Sequence, residues 1–122
     1  PETETISPFS GRGDQDCAGR VLLDLAAPAE GIRAAKPGGG YSVFSGTSMA
    51  APFVSGAAAL MMEWGVVQKN DLFLYGQRVK AFLCKGALRS PFLTYPNPQW
   101  GYGRLNLCGT MNELVNHLER GL

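Results

Sequence analysis

The sequence holds one histidine, three cysteines and no long block of charge of one sign, and each scarcity removes a class of function. Cys17, Cys84 and Cys108 are odd in number and far apart, with no CxxC pair and with His117 as the one available imidazole. That pattern suggests neither a zinc site nor a closed disulfide framework, and buried or free thiols are expected. One disulfide with a leftover thiol is the other arrangement three cysteines allow; an unpaired thiol argues for a reducing setting. Acids and bases are interspersed to a net charge of +1, so no basic stripe is available to a phosphate backbone and nucleic acid is not an expected partner.

Long apolar runs are also missing. The longest apolar region, Met49 to Met62, is interrupted by Pro52, Ser55 and Gly56 and falls short of the ~20 uninterrupted residues a membrane helix needs; no membrane partner is expected. Pro1 to Thr5 lack an initiator methionine and the basic and apolar regions of a leader, so the beginning reads as a cut and gives no localisation. Asp14-Gln15-Asp16 is too short an acidic cluster to make a calcium site, and no metal or other cofactor is expected. What the chain does have is the apolar share and length of one globular domain over residues 1–122.

Val21 to Ala27 is a short, mostly apolar run of the kind buried on both faces of a parallel sheet. Ile32 to Ala35 is a weak strand before the exposed Lys36-Pro37-Gly38-Gly39-Gly40 loop, and Tyr41 to Ser45 alternates as a strand. From Ser48 to Trp64 the residues are small or apolar around nearly the whole circumference, which predicts a helix buried at the centre of a larger body. Pro52 is expected in its first turn and Gly65 at its end. Leu72, Tyr75, Val79, Phe82 and Leu83 recur at helical spacing, with Asp71 placed to cap the start and Gly86 the end. Thr110 and Glu113 read as a capping box for a final helix whose inner face is Met111, Leu114, Val115 and Leu118.

The chemistry concentrates in Ser45-Gly46-Thr47-Ser48-Met49-Ala50-Ala51-Pro52. A serine follows a glycine at a strand-to-helix junction, where unpaired backbone N–H groups and the positive end of the helix dipole can stabilise an oxyanion. A serine at a helix start more often does no more than cap it, and a nucleophilic serine needs a base. The longer string decides between these readings, because it closely resembles the GTSMAxP motif of the subtilase family of serine proteases. Further resemblances occur in order along the chain: Phe9-Ser10-Gly11-Arg12-Gly13, Asp24-Leu25-Ala26-Ala27-Pro28, and Gly101-Tyr102-Gly103-Arg104-Leu105-Asn106. Glu63-Trp64-Gly65, Lys85 to Arg89 and Tyr95 to Gly103 resemble more specifically the clostridial subtilases that include spore-germination proteases. Phe53 stands where the family usually has histidine and Ala29 where it has glycine; neither is a catalytic position.

The resemblance implies an α/β fold, the C-terminal portion of a subtilisin-like parallel-sheet domain with a buried central helix, and hydrolysis of peptide or protein substrates by an Asp/His/Ser triad. In the subtilisin order the Asp and His precede the Ser, so they, and the family's oxyanion asparagine, are expected in an upstream part of the same polypeptide. This chain then supplies Ser48 and its backbone N–H, with Thr47, Met49 and Phe44 beside the substrate, and is expected to be inactive by itself. His117, near the end of the last helix, is read as a surface histidine and Asp24 and Glu63 as structural or solvated, none of them completing a triad. Two rivals are a pseudoprotease acting as a regulatory binding module, and an interaction domain in which Met49 to Met62 is merely a core helix. A domain cut through its sheet is also expected to expose an edge and an apolar face, and so to form a non-native dimer.

Overall fold

A computed structural model of the chain describes residues 5–13 and 20–120; Cys17 and the Asp14–Asp16 cluster lie outside them. The elements run β1 (Ile32–Ala35), β2 (Tyr41–Phe44), α1 (Thr47–Met62), a π-helical turn (Glu63–Val67), α2 (Gln77–Lys85) and α3 (Leu107–Glu119). Strands β1 and β2 form an antiparallel hairpin with Ile32 opposite Phe44 and Ala35 opposite Tyr41, closed by the exposed glycine-rich turn the sequence predicts. The Arg33 guanidinium lies 4.5 Å from the centre of the Tyr41 ring, a diagonal cross-strand pair in which the ring face attracts the cation.

The core lies among the three helices. Ala57 and Met61 of α1, Leu74, Val79, Phe82 and Leu83 of α2 and its approach, and Leu114 of α3 are buried together. Gly86, at the end of α2, lies close against α3: a side chain there would overlap the Thr110 backbone. The Thr110 hydroxyl is itself fully buried, with no hydrogen-bond partner among the described residues.

Four expectations need correcting. Helix α1 is not buried all round: Ala57 and Met61 are its buried residues, while Phe53 is 42% and Leu60 58% exposed. The reason is that, among the described residues, it packs chiefly on the α2 side, and its apolar circumference exceeds what this chain covers. Nor does Val21 to Ala27 enter a parallel sheet. It contributes one parallel bridge, Ala26 to Arg104, in which Leu105 N donates to Ala26 O at 2.8 Å and Ala26 N to Gly103 O at 3.0 Å. On its other side Arg104 exchanges both backbone bonds with Leu88, at 2.9 and 3.0 Å. The sheet in the described residues is the antiparallel hairpin.

Helix α2 begins at Gln77 rather than after Asp71, because Asp71 has stronger partners than a helix end. Its Oδ1 accepts from Phe73 N and its Oδ2 from Arg78 Nε, with Arg78 Nη2 at 2.8 Å, and the turn they close drives Leu74 into the core. Helix α3 begins before Thr110. Asn106 caps it, Oδ1 accepting from Gly109 N at 3.2 Å, which leaves Thr110 inside the helix and Glu113 paired with Lys85 at 3.6 Å.

Two further details concern α1. Pro52 sits within the helix, beyond the first turn; having no N–H, it leaves the Ser48 carbonyl without its usual i+4 donor. Gly65 does not end the helix, since the π turn carries it to Val67. Thr47–Val67 is therefore long and apolar enough to cross a membrane by length and composition alone. The sequence reading underestimated the helix's length by expecting its stop at Gly65.

Candidate active site

The hairpin delivers the chain into α1. Its N-cap residue is Gly46, at φ 150°, a backbone state that side-chain-bearing residues rarely adopt. Its N–H donates to Ala29 O at 2.8 Å, and its carbonyl accepts from Met49 N at 2.9 Å. One residue earlier, Ser45 Oγ accepts from Gly31 N at 2.9 Å. The entry to the helix is thus tied to the Ala29–Gly31 segment by two hydrogen bonds.

Ser48 is the second residue of α1 and does not cap it; the helix start carries no side-chain cap at all. Its side chain is exposed, and among the described residues neither its hydroxyl nor its N–H has a hydrogen-bond partner. An N–H in the first turn of a helix has no intrahelical acceptor and points along the positive end of the dipole. Free hydroxyl and free donor on one residue are the minimum for a nucleophile that helps hold its own oxyanion. Thr47 is exposed, Met49 half-buried and Phe44 57% exposed; all three lie within four residues of Ser48 in sequence, on β2 and the first turn of α1.

Among the described residues no base joins them. His117 stacks edge-on against Phe82, ring centroids 5.4 Å apart at 77°, in the seam between α2 and α3. There it lines an open cavity of about 500 Å³ with Trp64, Asp71 and Arg78. Asp24 pairs with Lys80 at 3.3 Å, and Glu63 is exposed at the start of the π turn. A second open cavity, about 410 Å³, is lined by Lys80, Cys84, Arg89 and Tyr102. Burial, and after it the charge of Asp24, pushes the Cys84 thiol up, Lys80 and Arg89 opposing; a raised thiol is a poor nucleophile at neutral pH. Cys84 and Cys108 are free.

The sequence reading missed Ser45 and its Gly31 partner. The signal was present only as a serine one step beyond the strand, facing a glycine across the hairpin.

The chain belongs to the subtilase family, whose model matches residues 1–103. The CspB protease of Clostridium perfringens is 49% identical in sequence, with a TM-score of 0.87 over 92% of this chain and 24% of that one. Among curated proteins, subtilisin-like protease 7 of Trichophyton equinum is 51% identical over 45% of this chain and 14% of its own length. Alkaline elastase YaB of Bacillus sp. strain YaB is 48% identical over 41% of this chain and 15% of its own. The chain therefore spans about a quarter or less of the length of each of these three relatives. Its mixed helix and strand content and these likenesses are those of an α/β subtilisin fold.

Proposed function

We propose that the chain is the nucleophile-bearing C-terminal part of a subtilase catalytic domain, residues 1–122, acting in a serine endopeptidase. Ser48 attacks the peptide carbonyl, and its N–H holds one side of the oxyanion. Thr47, Met49 and Phe44 flank the substrate. The Asp, the His that takes the Ser48 proton, and the asparagine that completes the oxyanion site come from an upstream part of the same polypeptide. The observation that carries this reading is Ser48 itself: exposed, uncapping, with its hydroxyl and N–H unpartnered among the described residues at a helix start, in a chain whose family and relatives are proteases. The reaction as derived needs no cofactor.

In the complete domain the upstream residues also provide the parallel sheet and cover the apolar face of α1. That supports reading Thr47–Val67 as a core helix and not a membrane span. Handled alone, the chain self-associates through this face, and light scattering should give a mass above the monomer's; a strictly monomeric species counts against it.

A fluorophosphonate probe tests the nucleophile. In the full-length protein it labels Ser48, and Ser48→Ala abolishes the label. An intact, folded protein that takes no label there is a pseudoprotease, and the proposal fails.

A further inference from the structure

The ladder of the β1–β2 hairpin does not stop evenly. Its register sets Ile32 against Phe44, so continued pairing would set Gly46 against Glu30. The Gly46 N–H donates to Ala29 O instead, so the Ala29–Ile32 side carries one residue more than the Phe44–Gly46 side opposite. Gly31 absorbs the extra residue, with φ of 62°, the left-handed conformation of a glycine β-bulge. Within the bulge the Gly31 N–H is taken not by a carbonyl of the opposite strand but by Ser45 Oγ, at 2.9 Å.

Such bulges bend a strand and re-aim the chain beyond it. Here the bulged side is Ala29–Ile32, and its extra residue seats Gly46, from which Thr47 and Ser48 enter α1, against Ala29 instead of Glu30. The bulge is thus closed by one backbone bond at Gly46 and one side-chain bond at Ser45, both within three residues of the serine hydroxyl. Ser45 and Gly31 are exposed, so water can replace a lost partner at little cost in stability. Water cannot hold the turn in one geometry.

We infer that Ser45 is a positioning residue: by accepting the Gly31 N–H it locks the bulge that sets the direction in which helix α1 and the Ser48 hydroxyl leave the hairpin. The inference rests on the reading of Ser48 as the nucleophile. Reacting atoms must stand in near-attack geometry, and a misplacement of about 1 Å costs on the order of 100-fold in rate. Ser45 itself touches no reacting atom in this scheme; it acts through the backbone of the turn.

The test uses the full-length protein with Ser45→Ala and Ser45→Thr, measuring kcat and KM on a peptide substrate, the rate of fluorophosphonate labelling at Ser48, and the melting temperature. Ser45→Ala is expected to lower kcat and the labelling rate roughly 10- to 100-fold, with KM within about twofold. Ser45→Thr, which keeps the hydroxyl acceptor, restores most of the loss. An alanine variant as fast as the wild type overturns the inference, and so does a threonine variant no better than alanine. A loss of rate that tracks a loss of folded protein would make Ser45 merely structural and also overturns it. Wild-type protein that is folded yet unlabelled sinks the nucleophile reading itself, whereas labelled wild type with an unaffected Ser45→Ala sinks this inference alone.

Discussion

Ser48→Ala in the full-length protein is expected to lower kcat for peptide hydrolysis on the order of 10⁶-fold, the loss that removal of the serine causes in subtilisin itself. The same change in the isolated chain is expected to leave background hydrolysis unchanged, because a serine hydroxyl attacks slowly unless a base removes its proton. Among the described residues nothing hydrogen-bonds that hydroxyl, and the sole imidazole of the sequence, on His117, is stacked on Phe82. Triad members act as a unit, so the Ser48 N–H and the helix dipole retain only a weak residual effect by themselves. His117→Ala should likewise leave the full-length enzyme's rate unaltered. Chain alone that cleaves a peptide, and loses that activity equally with Ser48→Ala and with His117→Ala, would overturn this view and make His117 the base.

The second large effect concerns stability. Gly86→Ala is expected to destabilise the chain by about 3 kcal/mol, at the upper end of the usual overpacking cost, because its new methyl group meets the Thr110 main chain, which cannot swing aside, as well as the Thr110 hydroxyl. To admit it, α2 and α3 must separate, which strips contacts from Phe82, Leu83 and Leu114. Gly56→Ala is the contrasting control. Gly56 lies within α1, a Cβ there meets nothing within 4 Å, and replacing glycine in a helix interior gains about 1 kcal/mol. Denaturant midpoints should therefore move in opposite directions for the same chemical change. Two shifts of the same sign would mean that the Gly86 contact is not what holds α2 against α3.

Whatever is decided by neighbours in the chain could be read in the sequence. Tyr41 to Phe44 and the Gly46-Thr47-Ser48 junction appeared where expected, since alternation, a glycine-rich turn and a run of small and apolar residues act locally. The start of α2 was not legible, although Leu72 and Tyr75 fit a helical period, because the Asp71–Arg78 ion pair outweighs periodicity there. The start of α3 was misplaced for a related reason: Thr110 and Glu113 have the spacing of a capping box, but Asn106 stands upstream and takes the role. Burial of α1 was over-read. Apolarity around a helix states what it needs to bury, and the partners that would bury it are not among the residues described. In the candidate site, Ser48 was proposed from its motif, whereas the Gly31–Ser45 bond could be recognised only once the hairpin was in place.

The crossing at Arg104 carries a rule about tolerance to substitution. Ala26, Leu88, Arg104 and Leu105 each contribute their own N–H to the bonds that join the three segments there. Those bonds are written entirely in main-chain atoms and are indifferent to side-chain identity, except that proline, which has no N–H, cannot serve at any of the four positions. The crossing therefore constrains sequence by exclusion, and two subtilases could share it while having no side chain in common at these places.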